Sequence, residues 1–131
     1  MIVGGGLRYY LAALLDELKI HVRMVESNVS RCEELSELLP RITVICGDGT
    51  DKKLLLEEGL TQTEAFVTLT NMDEENILLS LFAKKNSHAK LITKVNRIAF
   101  DDIIDGLDLG SVIYPKYITA DYILRYVRAM E

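Results

Sequence analysis

Ile2-Val3-Gly4-Gly5-Gly6 heads the sequence, and Leu11-Ala12-Ala13-Leu14-Leu15 follows it at once. A β-branched apolar pair, three glycines and a helix-forming run read as a first strand, a turn and a first helix. In a Rossmann-type unit such a turn brings backbone close to a phosphate. There the helix N-terminus offers free N–H groups and the positive end of its dipole. Glu26 lies about 20 residues further on, where a ribose hydroxyl needs an acceptor. The first thirty residues therefore read as a nucleotide site.

Outward from that loop, strand and helix patterns alternate. Residues 1–4 read as strand one and 7–18 as helix one, with Leu11, Leu14, Leu15 and Leu18 on its buried stripe. His21–Val25 reads as strand two. Asn28 or Ser30 caps a second helix that ends at Pro40. Ile42–Cys46 is continuously apolar, the pattern of a strand covered on both faces. Gly47-Asp48-Gly49-Thr50-Asp51 leads into a short helix over 52–58. Ala65–Leu69 is strand four, and Thr70-Asn71-Met72-Asp73 precedes a helix over 73–86. Leu91–Val95, a short helix over 99–107, Ser111–Tyr114 and an amphipathic helix over 119–130 complete the pattern. The expectation is one α/β domain over 1–131: a Rossmann-like, doubly wound sheet of about six parallel strands with helices on both faces.

Composition narrows the function classes. The chain has 131 residues, 49% hydrophobic and 27% charged, with a formal net charge of −5. No basic cluster is large enough for non-specific nucleic-acid binding, which needs many Lys and Arg contacts to phosphates. No apolar run approaches a membrane span. The two cysteines, Cys32 and Cys46, form no CxxC motif and read as free thiols. His21 and His88 have no ligand-spaced partners, so no metal site is expected.

A parallel open sheet binds its ligand beyond the carboxyl ends of the strands. Gly4, Gly5, Gly6, Leu7 and Arg8 follow strand one. Glu26, Ser27 and Asn28 follow strand two, and Gly47, Asp48, Gly49 and Thr50 follow strand three. Thr70, Asn71 and Asp73 follow strand four, and Lys94, Asn96 and Arg97 follow strand five. Gly4 and Gly6 let backbone approach a pyrophosphate, with the Gly5 or Leu7 N–H donating. Glu26 can accept from two ribose hydroxyls, and its charge repels a 2′-phosphate, which favours NAD or an adenine nucleotide over NADP. Asp48 can accept from an adenine amino group. Thr70 and Asn71 can face the second ribose or a phosphate, and Lys94 can balance phosphate charge. The plainer alternatives are a solvated loop carboxylate for Glu26 and an ordinary tight turn for Asp48-Gly49.

The loop departs from the dinucleotide fingerprint G-x-G-x-x-G: its third position holds Tyr9. A glycine there allows close helix–strand packing. No histidine or cysteine makes a convincing acid–base pair, and Asp73 with Glu74 reads as favourable negative charge at a helix N-terminus. Catalysis is not expected.

The segments IVGGG, VESN, ELLPRITVICGDGTD, AFVTLTNMDEENIL, ITKVNR and VIYPKYITADYILRYVR, in that order, resemble the nucleotide-binding N-lobe of the TrkA family, the RCK or KTN domain. The resemblance covers essentially the whole chain. It implies a cytoplasmic, non-enzymatic sensor at the inner face of the membrane. That sensor takes NAD(H), or AMP, ADP or ATP, and regulates an integral-membrane potassium transporter or channel subunit. It implies dimers that build into rings, and no nucleic-acid partner. The family's pyrophosphate loop falls on Gly4, Gly5, Gly6, Leu7 and Arg8, and its ribose acid on Glu26 beside Ser27. Its adenine-side turn falls on Gly47, Asp48 and Gly49, its post-strand-four pair on Thr70 and Asn71, and its strand-five base on Lys94. The glycine loop is one residue shorter than the family's. The last helix resembles a crossover element that packs on a partner, and the family's C-terminal lobe is expected to be absent. The competing readings are a NAD-dependent oxidoreductase lobe and an assembly domain without ligand.

Overall fold

In the computed structural model, which describes residues 1–4, 6–96 and 101–114 together with Ile123, Arg125, Val127 and Arg128, strands and helices alternate along the chain. The strands are β1 (Ile2–Val3), β2 (Arg23–Glu26), β3 (Thr43–Cys46), β4 (Ala65–Thr68), β5 (Lys90–Lys94) and β6 (Ser111–Ile113). The helices are α1 (Arg8–Glu17), α2 (Val29–Leu38), α3 (Lys52–Glu57), α4 (Asp73–Asn86) and α5 (Asp101–Asp105). The sheet order is β3-β2-β1-β4-β5-β6, and every pairing is parallel. The expected doubly wound fold is therefore present.

Period-two alternation along the strands builds two cores. Ile2, Met24, Val67 and Ile92 point to one face, where Leu11, Ala12, Leu15 and Leu35 of α1 and α2 cover them. Val3, Val25, Phe66 and Leu91 point to the other, under Leu55, Leu79 and Ala83 of α3 and α4. Strands buried on both faces read as continuous apolar runs, and the central strands do so here.

Three expectations are corrected. The run over 42–46 is not covered on both faces, because β3 is an edge strand: Thr43 and Val44 are half-buried and Cys46 is exposed. The buried stripe of α1 is Arg8, Leu11, Ala12 and Leu15, with Leu14 half-buried and Leu18 exposed. The helical period is as expected, but the stripe lies one turn nearer the N-terminus and so begins on a charged residue. Strand one is Ile2–Val3 rather than 1–4, because Gly4 turns out of the ladder at φ +61°. Most of the expected last helix lies outside the described residues. Of those described there, Ile123 and Val127 are buried in the chain's own first core, so this part of the helix covers its own sheet.

Candidate nucleotide-binding site

The sheet reverses its winding between β1 and β4, and crevices at such points take ligands in open α/β sheets. Gly4 sits at this point. Its N–H donates to Val25 O at 3.3 Å, and Leu69 N–H donates to Val3 O at 3.0 Å. The left-handed conformation of Gly4 suits glycine, and a Cβ there would stand 3.0 Å from Thr70 Cγ2. The loop from β1 and the loop from β4 thus touch. Gly6 is exposed, with nothing within 4 Å of where its Cβ would be. Leu7 precedes α1 without any side-chain cap, and the first turn of α1 carries no acid. That leaves the positive dipole end of a helix without a side-chain cap beside the glycines. Gly5 and Arg97 lie outside the described residues.

Glu26 ends β2, the neighbour of β1. Its Oε2 lies 3.4 Å from Arg8 Nε, and the two side chains are only 11% and 9% exposed. Its Oε1 accepts from Asn28 N–H at 3.4 Å. Both oxygens are held in place, so Glu26 is not the solvated loop carboxylate of the plainer reading. Arg8, expected in the pyrophosphate loop, brings its guanidinium to the Glu26 carboxylate. Ser27 is exposed beside it.

The Gly47-Asp48-Gly49 turn is built for close approach. A Cβ on Gly49 would come within 2.5 Å of Val3 Cγ1, so the turn from β3 lies against the end of β1. Asp48 is exposed, and its Oδ1 accepts from Thr50 N–H at 2.8 Å and the Thr50 hydroxyl at 2.7 Å. These two bonds, the backbone one first, hold the Asp48 carboxyl below its ordinary range. Asp48 therefore shapes this turn with one oxygen, as the tight-turn reading had it.

Sequence reasoning missed the residue that organises the other half of the site. Asn76, in the first turns of α4, is fully buried. Its Oδ1 accepts from Thr70 N–H at 3.0 Å and from the Thr70 hydroxyl at 2.7 Å. Its Nδ2 donates to Thr70 O and to Lys94 O, both at 3.0 Å. One amide thereby ties the ends of β4 and β5 together. Asp73, also buried, accepts from Asn96 N–H at 2.7 Å and Asn96 Nδ2 at 2.9 Å, and Asn96 Nδ2 reaches Asn71 O at 3.4 Å. Asp73 is a clamp as well as a charge at a helix end. Thr70 and Asn71 are thus placed rigidly, with Asn71 exposed and Lys94 half-buried at the adjoining strand end. The available signal was a polar stripe, Asp73, Asn76 and Ser80, at helical spacing on the face that continues to Ala83.

A cavity of about 370 Å³ lies elsewhere, at the amino ends of the strands, where Met1, Val22, Arg23 and Ala65 line it. Because ligands of this architecture bind at the carboxyl ends, the loops around Gly4, Glu26 and Thr70 are the candidate site. Their glycines, uncapped helix end and oriented carboxylate match the needs of a pyrophosphate and a ribose.

Comparisons with known proteins place the chain in a family and a fold. The family model described as the TrkA-N domain matches residues 1–115. The chain is 38% identical over 132 residues to the Trk system potassium uptake protein TrkA of Vibrio alginolyticus, covering 100% of this chain and 29% of that protein. It is 39% identical over 129 residues to the TrkA of Halomonas elongata, covering 98% of this chain and 28% of that protein. The chain thus spans under a third of the length of these curated relatives. Among solved structures, the TrkA-N domain of the inner membrane protein ybaL from Escherichia coli superposes with a TM-score of 0.75 at 16% identity, covering 98% of this chain and 93% of that one. The GsuK channel bound to NAD superposes with a TM-score of 0.73 at 18% identity, covering 86% of this chain and 20% of that one. At these identities the structural matches establish the fold, while the sequence matches establish kinship. The chain belongs to the TrkA-N domain family.

Proposed function

We propose that this domain binds NAD(H) or an adenine nucleotide such as AMP, ADP or ATP at the carboxyl ends of β1, β2 and β4. We further propose that, without catalysing a reaction, it relays occupancy to an integral-membrane potassium transporter or channel subunit. The observation that carries the reading is the placement of Gly4, just past the end of β1, next to the strand β2 that Glu26 ends. A left-handed glycine stands at the switch of the sheet, and an oriented carboxylate ends the next strand. Curated relatives named as potassium uptake proteins, and a fold neighbour named as a channel bound to NAD, supply the physiological setting. Another structure of that neighbour is named as bound to ADP. On this reading the domain works at the cytoplasmic face of the membrane, as a homodimer or ring.

Gly4, Gly6 and the N-terminus of α1 would hold phosphate, Glu26 the ribose hydroxyls, and Thr70 and Asn71 the far side of the ligand. The ligand would exchange a ribose hydroxyl for Arg8 at Glu26 Oε2. Regulation then follows from a difference in ligand affinity between two arrangements of the assembly.

Titration calorimetry with NADH, NAD, AMP, ADP and ATP tests the reading. Saturable binding of at least one ligand is expected. No heat from any of them, with the chain folded by circular dichroism, would refute it. One observation favours a second reading, a ligand-free assembly domain: the ion pair already satisfies the ribose acid.

A further inference from the structure

Cys32 and Cys46 are far apart in sequence, and the β2–β3 register brings them together. Glu26 and Cys46 are direct partners across the parallel pair. Gly47 N–H, the next donor along β3, bonds Glu26 O at 2.9 Å. From α2, Cys32 Sγ donates to that same oxygen at 3.2 Å. Both cysteines therefore converge on the main chain of Glu26. Burial first, and the neighbouring Cys46 thiol second, push the Cys32 thiol up to about 12. Cys32 is buried and Cys46 is exposed at the open end of an edge strand.

An accessible thiol beside a protected one is the arrangement of a peroxidatic and a resolving cysteine. We propose that Cys32 and Cys46 form a reversible intramolecular disulfide in response to a hydroperoxide. The Cys46 sulfur attacks the terminal peroxide oxygen, the O–O bond breaks, and the alcohol or water leaves with the proton that the Cys46 thiol gives up. Cys46 is then a sulfenic acid. The Cys32 sulfur attacks the Cys46 sulfur, the S–O bond breaks, and water leaves with the Cys32 proton. The two thiols lose two electrons, and the peroxide gains them. The bond removes the thiol donor from Glu26 O and ties α2 to the end of β3, beside the Glu26 carboxylate. Dithiols such as dithiothreitol reverse it by exchange.

The two cysteines fall on separate tryptic peptides, because Arg41 lies between them. The full chain is treated with stoichiometric hydrogen peroxide, alkylated after denaturation and digested. The expected result is a Cys32–Cys46 cross-linked peptide pair that dithiothreitol abolishes. In Cys32→Ser, or Cys32→Ala if serine is not tolerated in the buried position, Cys46 should instead be trapped by dimedone as its sulfenic acid. In Cys46→Ser, Cys32 should stay reduced. The proposal is overturned if wild-type Cys32 remains fully alkylatable while Cys46 overoxidises, or if Cys46 pairs only between two chains. Peptide mass is independent of nucleotide binding, so failure here and failure of the sensor reading are separate results.

Discussion

Arg8 at the start of α1 and Glu26 at the end of β2 form an ion pair, Nε to Oε2 at 3.4 Å, with both side chains about nine-tenths buried. The residue that opens the helix beside the glycine loop thereby occupies the acid that would hold a ribose. A ligand that needs Glu26 has to compete with a guanidinium already there. Apparent affinity falls by the fraction of molecules in which the acid is released.

Arg8→Ala removes the competitor. NADH affinity measured by calorimetry should rise about fivefold. Stability should fall by about 3 kcal/mol in urea unfolding, because a mostly buried carboxylate loses its partner. A drop in NADH affinity would place Arg8 on the phosphates rather than in competition for Glu26.

Charge reversal at Glu26 acts on the ligand directly. Glu26→Lys should weaken NADH binding by at least about tenfold, or about 1.4 kcal/mol. It also sets a like charge against Arg8, so the folded fraction must be measured alongside. Glu26→Gln keeps the shape and avoids that repulsion. Unchanged NADH affinity in both variants would remove the ribose role.

Asn76 should matter for stability before it matters for ligand. Asn76→Ala leaves Thr70 N–H and Lys94 O without their buried partner. An unsatisfied buried polar group costs about 1–3 kcal/mol, so the urea midpoint should drop by an amount in that range or above it. A neutral substitution would mean that Thr70 and Lys94 find other partners.

The reach of the sequence follows from which contacts are local. The strands were legible because central strands of a parallel sheet are apolar on both sides and turns separate them. Gly4 and Glu26 were legible because one βαβ unit fixes their spacing. The Arg8–Glu26 pair was not, since it depends on how a shortened loop rotates the start of α1. Asn76 was hidden because an asparagine in a polar helical turn looks like surface until β4 and β5 are known to be neighbours. The meeting of Cys32 and Cys46 needs the β2–β3 register, which no local pattern encodes. The edge position of β3 needs the sheet order, and an apolar run such as Ile42–Cys46 does not reveal it.

Asp48 supplies a pH signature. Its carboxyl is held below the ordinary value of 3.8 by the two Thr50 donors. A depressed folded-state pKa gives stabilisation that is present above the unfolded value and lost as pH falls through the folded one. Asp48→Ala should therefore lower the unfolding free energy slightly at pH 7, by under about 1 kcal/mol for so exposed a group. The difference from wild type should shrink once pH drops well below 4. An equal difference at pH 7 and at pH 2 would assign the effect to the neutral turn bond alone.

Gly4 and Gly6 separate a structural glycine from a binding one. Alanine at Gly4 must adopt φ +61° and sit 3.0 Å from Thr70 Cγ2. The left-handed conformation alone costs about 1–2 kcal/mol. Gly4→Ala should therefore lower the urea midpoint whether or not a ligand is present. Alanine at Gly6 meets no protein atom within 4 Å, so its stability should stay within about 0.5 kcal/mol of wild type. If the loop cradles a pyrophosphate, that methyl group projects from backbone that must approach the ligand, and Gly6→Ala should weaken NADH binding while the fold is unchanged. If Gly6→Ala leaves both stability and NADH affinity untouched, the loop is a turn between β1 and α1 and the phosphate must be held elsewhere.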